Sequence, residues 1–147
     1  LESKGVVYNY QFLLNSIIYQ HQEIIDYFLE THNMKLDKEA LLTSVKACNL
    51  TFFFDNFVDL LEQNQDQRIL QMKSLWFQAV DSGFIEVIDF LLGAELGVDI
   101  NWANDNGQTA IFRSVILGNL HIANFLLKQE GINLELRDNF ILVQHIL

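Results

Sequence analysis

The sequence predicts an all-α fold, a repeat solenoid of stacked helix-turn-helix units joined by hairpin loops. The first observation is residues 104–127, NDNGQTAIFRSVILGNLHIANFLL, which read as turn, amphipathic helix, glycine break and second amphipathic helix. The second is residues 74–92, SLWFQAVDSGFIEVIDFLL, which overlay that stretch without a gap and place Gly83 35 residues before Gly118. A unit that recurs at such a period buries its apolar face only against its neighbours, so about three or more are needed for stability. The chain is therefore read as one repeat domain over residues 1–147, with units at about 11–36, 37–63, 74–103 and 104–138.

In chain order, residues 11–29 set Ser16 at a small position, Gln20-His21 at a break, and Ile24, Ile25, Phe28 and Leu29 along a second helix. Asn33 stands where a left-handed residue should end that helix, a conformation Asn tolerates. In residues 36–61, a first helix runs through Ala40 to Val45 and Cys48-Asn49 marks the break. Phe53, Phe57, Leu60 and Leu61 then share one face of a helix about a turn longer than its counterparts. The stretch 62–73 is polar and helix-compatible, without a glycine turn.

In the third unit Ser74, Trp76, Phe77 and Ala79 stand where Thr109, Ile111, Phe112 and Ser114 stand in the fourth. Val87, Ile88, Leu91 and Leu92 form the second-helix stripe, and a loop at 93–97 absorbs the extra length. In the fourth unit Asn104, Asp105, Asn106 and Gly107 make a turn, since Asn and Asp bond their own backbone and Gly accepts positive φ. Thr109 offers a hydroxyl to the unpartnered amides of the first helical turn. Residues 131–138 lead toward a further unit, and 139–147 begin it or cap the array. The apolar ILVQHIL favours continuation past Leu147, because terminal repeats need a polar outer face. A start at Leu1 without Met is read as that of a fragment or a processed chain.

The run Thr109-Ala110-Ile111-Phe112-Arg113-Ser114 after its turn resembles the ankyrin repeat, whose first helix opens T-P-L-H-x-A and whose period is about 33 residues. Thr109, Ile111 and Ser114 match. Ala110 replaces the family Pro, and Phe112 replaces the His that holds the loop. The resemblance covers roughly residues 11–140. With no Pro in the chain, the stability of each helix is expected to come from Phe and Leu packing. The loose, Phe-rich, Pro-free repeats resemble ankyrin proteins of intracellular bacteria or protists.

A net charge of −10, from 9 Lys and Arg against 19 Asp and Glu, disfavours binding to phosphate backbones and anionic lipid. Neither a nucleic acid nor a membrane is thus an expected partner, and no apolar run approaches the roughly 20 residues of a bilayer span. Cys48 is alone and cannot form an internal disulfide, which fits an intracellular, cytoplasmic location, or a host cytoplasm for a secreted effector.

No catalytic, cofactor-binding or metal site is expected. His21, His32, His121 and His145 lack paired ligand spacing, and no Ser sits in a nucleophile turn. Glu23, Asp26, Glu86 and Asp89 fall at outward positions of second helices. His21 falls where the family itself commonly has His.

The resemblance implies a concave binding surface built from hairpin tips and the inner side of first helices, with another protein as partner. On the helices it comprises Ile18, Tyr19, Lys46, Ala47, Asp81, Ser82, Ile116 and Leu117. On the hairpins it comprises Trp102, Ala103, Asp105, Asn106 and Gln108, then Arg137, Asn139 and Phe140. Trp102, Ile116 and Leu117 are expected as apolar anchors, since aromatic and aliphatic residues carry most interface energy. Tyr19, Asp81, Asp105, Asn106 and Gln108 complete the set. Two rival readings are the substrate-targeting part of a larger enzyme and self-association through the apolar ends of the array.

Overall fold

The computed structural model describes residues 2–63, 67–93 and 95–135, with side chains from residue 10 onward except Gln63. The described residues are helical, with one isolated antiparallel bridge between Ala103 and Thr109 and no strand, so the all-α class holds. They gather into two compact units, residues 1–68 and 69–147.

The first unit holds α1 (Glu2–Ile18), α2 (Gln22–Asp26), α3 (Lys38–Lys46) and α4 (Leu50–Gln63). Helix α2 widens into a π-helical turn over Tyr27–Thr31, and Asn33 follows at a φ of +47°. Leu13, Leu14 and Ile17 of α1 and Ile25 and Phe28 beyond it pack against Ala40 and Phe52 of the next hairpin. Each such large apolar side chain removed from water contributes about 1.5–3 kcal/mol. In α4, Phe53, Phe57, Leu60 and Leu61 are all buried, as their shared helical face predicts.

Asp37 starts α3 by accepting the Ala40 amide at 3.1 Å. The same carboxylate oxygen accepts the Tyr10 hydroxyl, linking α1 to the start of α3. Burial, and then this hydrogen bond, push the Tyr10 phenol well above its ordinary value.

The second unit holds α5 (Arg68–Ser82), α6 (Ile85–Gly93), α7 (Ala110–Ile116) and α8 (Leu120–Leu127). Met72, Leu75, Trp76, Ala79 and Val80 line the buried side of α5, a spacing of three and four that only a helix brings to one face. Val87, Ile88 and Leu91 do the same for α6, and Ile122, Ala123 and Leu126 for α8. Ser74 corrects the sequence reading. It does not open a helix as Thr109 does, but lies inside α5 and donates its hydroxyl back to the Leu70 carbonyl at 3.1 Å.

All four first helices end the same way. Gln20, Cys48, Gly83 and Gly118 adopt φ values of +58°, +58°, +77° and +74°. Each amide bonds the carbonyl three residues back, on Ile17, Val45, Val80 and Val115. The following amides, of His21, Asn49, Phe84 and Asn119, reach back five residues to Ser16, Ser44, Ala79 and Ser114 at 2.8–3.2 Å. These paired bonds satisfy carbonyls that a helix end leaves orphaned. The four small residues so placed are buried, and the three serines return their hydroxyls to their own helix at 2.7–2.8 Å. This shared cap gives every first helix a common register.

Candidate functional site: a hairpin tip and the exposed side of a helix

The candidate site lies in the second unit, around the loop between α6 and α7. Asn104 accepts the Gly107 amide on its carbonyl at 2.9 Å, closing a four-residue turn with Gly107 at a φ of +74°. Its side-chain oxygen accepts the amides of Asn106 and Gln108 at 3.0 and 2.9 Å, and its Nδ2 donates to the Gln108 side chain at 3.2 Å. With the Asn104 amide on the Gln108 carbonyl at 2.8 Å, the tip is closed on both sides. Thr109 follows as the N-cap of α7, accepting the Phe112 amide on its hydroxyl. Asn104 thus holds the loop together.

This cage leaves Asp105 and Asn106 exposed at the tip. Gln108 is half-buried and spends its side chain on Asn104, so it shapes the tip more than it presents a free group. Trp102 is also half-buried, its amide donating to the Asp99 carbonyl at 3.0 Å.

At the end of α7, Ile116 and the C-cap Leu117 are 53% and 41% exposed, although both are aliphatic. Arg113 lies one helical turn before them and so on the same side. Its Nε and Nη2 donate to the two carboxylate oxygens of Asp81 at 2.9 and 3.2 Å. The bond to Asp81 raises the Arg113 guanidinium above its ordinary value. Asp81 is therefore exposed but paired, and its charge is offset within the chain. Exposed pairs of this kind contribute about 0–1 kcal/mol, so its structural effect is to fix a side chain beside the aliphatic pair.

Leu70, Lys73, Ser74 and Phe77 of α5 line a cleft of about 190 Å³ with Asn104 and Asp105 of the tip. Cofactor and drug-sized sites occupy roughly 300–1,000 Å³, so this cleft suits one inserted side chain, with Lys73 and Asp105 at its wall.

In the first unit Ile18 and Tyr19 are 42% and 71% exposed at the end of α1, and Lys46 is exposed at the end of α3. They share the cap-relative register of Asp81, Ser82, Ile116 and Leu117. Arg137, Asn139 and Phe140, and the whole of 139–147, lie outside the described residues.

Sequence reasoning placed Asn104 in the turn and passed over Arg113. The Asn104 signal was available, since Asn at the first position of a turn with Gly at the fourth bonds its own backbone. An arginine paired with an aspartate 32 residues away leaves no comparable mark.

Among the described residues no group of three or more His, Cys, Asp or Glu could hold a metal ion, and no helix is long and apolar enough to cross a membrane. A family model described as ankyrin repeats (3 copies) matches residues 8–138. No curated protein and no solved structure matches the chain.

Proposed function

Because the chain belongs to the ankyrin-repeat family, whose repeats are protein-interaction modules and typically non-catalytic, we propose that it binds a segment of another protein on the hairpin-tip side of its first helices. The observation that carries this reading is the exposure of Ile116 and Leu117 beside the Asp81–Arg113 pair. Aliphatic side chains held out in water cost about 25 cal/mol per Å² of apolar surface relative to burial, and a partner that covers them recovers that energy.

In this reading Leu117, Ile116 and Trp102 anchor the partner, and Tyr19 is a separate contact offered by the first unit. Asp105, Asn106 and Gln108 set polar specificity at the tip, with Asp81 acting through Arg113. The partner inserts one side chain into the cleft beside Lys73 and Phe77. A cytoplasmic setting, in a host cell for a secreted effector, accords with the single exposed Cys48.

The experiment is site-specific photocrosslinking. A photoreactive residue at Leu117 or Asp105 should capture the partner in the cell of origin. The same residue at Asn124, exposed on α8, should not. Capture from Asn124 with none from Leu117 would place binding on the second helices and overturn the proposal.

A further inference from the structure

On the second unit a cavity of about 560 Å³ opens between residues 97–101, which lead from α6 toward α7, and residues 129–131, which follow α8. Small-molecule sites occupy roughly 300–1,000 Å³, so this one has room for a whole ligand, where the cleft beside Lys73 at about 190 Å³ takes one side chain.

Hydrogen bonds brace its two walls against each other. Asn101 donates from Nδ2 to the Gly131 carbonyl at 2.9 Å and accepts the Asn133 amide on Oδ1 at 2.8 Å. Its own amide donates to Oδ1 of Asp99 at 2.8 Å, and the Asp99 carbonyl accepts the Trp102 amide at 3.0 Å. On the other wall the Gln129 side chain donates back to the Phe125 carbonyl at 3.1 Å. Walls held in this way reduce the ordering that a ligand must impose on binding.

The groups left to meet a ligand are apolar or acidic. Leu92 and Val98 are half-buried and Ile100 is buried, and all three line the cavity. Asp99 and Glu130 line it too, both exposed, and neither forms an ion pair among the described residues. No Lys or Arg is among the lining residues.

We propose that this cavity binds a small organic cation, an alkylammonium or alkylguanidinium with an apolar body, at a site separate from the hairpin-tip surface. The apolar body lies on Leu92, Val98 and Ile100, and the charged head faces Asp99 and Glu130. An anion would meet two carboxylates and be repelled. A bare divalent metal is the poorer match, since calcium takes about six to eight oxygen ligands and no group of three or more His, Cys, Asp or Glu is placed to hold a metal among the described residues.

The test uses the full isotope-labelled chain and three probes of one shape: phenylbutylamine, phenylbutanol and phenylbutyrate. Amide resonances of Val98 to Asn101 and Gln129 to Gly131 should shift saturably with the amine, less at high salt. The alcohol should bind several-fold more weakly and the butyrate not at all. Asp99→Asn with Glu130→Gln keeps an oxygen for the Asn101 amide. It should weaken the amine about tenfold and leave the alcohol unchanged, at unchanged circular dichroism. If that variant loses helicity, Glu130→Gln alone serves instead, with a loss of about threefold. Ile116→Ser with Leu117→Ser should leave amine binding intact, which separates this cavity from the hairpin-tip site. Absence of saturable shifts at these amides, equal binding of the alcohol or the butyrate, or unchanged amine affinity in the carboxylate variants would overturn the proposal. So would a capped peptide with one lysine that binds more tightly than the amine, since the occupant would then be a protein side chain.

Discussion

Asn49 donates from Nδ2 to the carbonyl of Ile17 at 3.1 Å, while its Oδ1 accepts the amide of Phe52 at 3.1 Å. One buried side chain therefore starts α4 and fastens its hairpin to the one before. Asn119, at the same register, donates to the Val80 carbonyl at 3.4 Å but makes no capping bond with its side chain. Asn49→Ala should accordingly cost about 2 kcal/mol, the upper range for a lost N-cap. Asn119→Ala should cost below about 1 kcal/mol. Urea unfolding followed by circular dichroism ranks the two, and equal losses would show that the capping bond contributes nothing.

Cys48 and Gln20 hold the left-handed conformation that Gly83 and Gly118 hold elsewhere, and both are exposed. An L-residue there costs roughly 1–2 kcal/mol, against about 0.5–1 kcal/mol for the extra freedom glycine has when unfolded. Cys48→Gly and Gln20→Gly should thus each stabilise by up to about 1 kcal/mol. Gly118→Ala should destabilise by a similar amount through its backbone alone, since nothing lies within 4 Å of the added carbon. Thermal melts of the three variants check the set.

The helices were legible because apolar stripes at helical spacing leave few alternatives, as in Met72, Leu75, Trp76, Ala79 and Val80. The breaks at Gly83 and Gly118 were legible from residue type. Those at Gln20 and Cys48 were legible only from their place in the period, because neither residue announces positive φ. Ser74 misled because a hydroxyl suits a helix start and also tolerates a helix interior, and sequence identity does not separate the two. At the site, the exposure of Ile116 and Leu117 could be expected from register. The half-burial of Trp102 and the Asp81–Arg113 pair depend on loop geometry and long-range approach, which local pattern does not encode.

Asp81→Asn and Arg113→Ala should each lower stability by less than about 1 kcal/mol. The loss should shrink in high salt, where an exposed pair is screened. Parallel urea titrations at low and high ionic strength measure it. A larger, salt-insensitive loss would mean that Arg113 acts through packing of its stem.

Tyr10 keeps its proton in the folded chain to a higher pH than in the unfolded one, through burial and its bond to Asp37, with Glu39 nearby. A raised folded value means that its contribution is fully present below the ordinary tyrosine value of about 10 and is lost as pH rises above it. Alkaline unfolding should therefore be less steep in Tyr10→Phe than in the wild type above about pH 10. Between neutrality and pH 9 or so, the two should differ by a constant. Curves that stay parallel above about pH 10 would remove Tyr10 from the alkaline response.

The most direct test of the central claim is affinity capture from the native cell lysate with the wild type and with Trp102→Ala combined with Leu117→Asp, both checked for helicity. Trp76, the other tryptophan and fully buried, reports by its emission that the second unit of the variant is still folded. The account predicts a protein that is retained by the wild type and lost by the folded variant. Equal retention by both would contradict binding on the hairpin-tip surface.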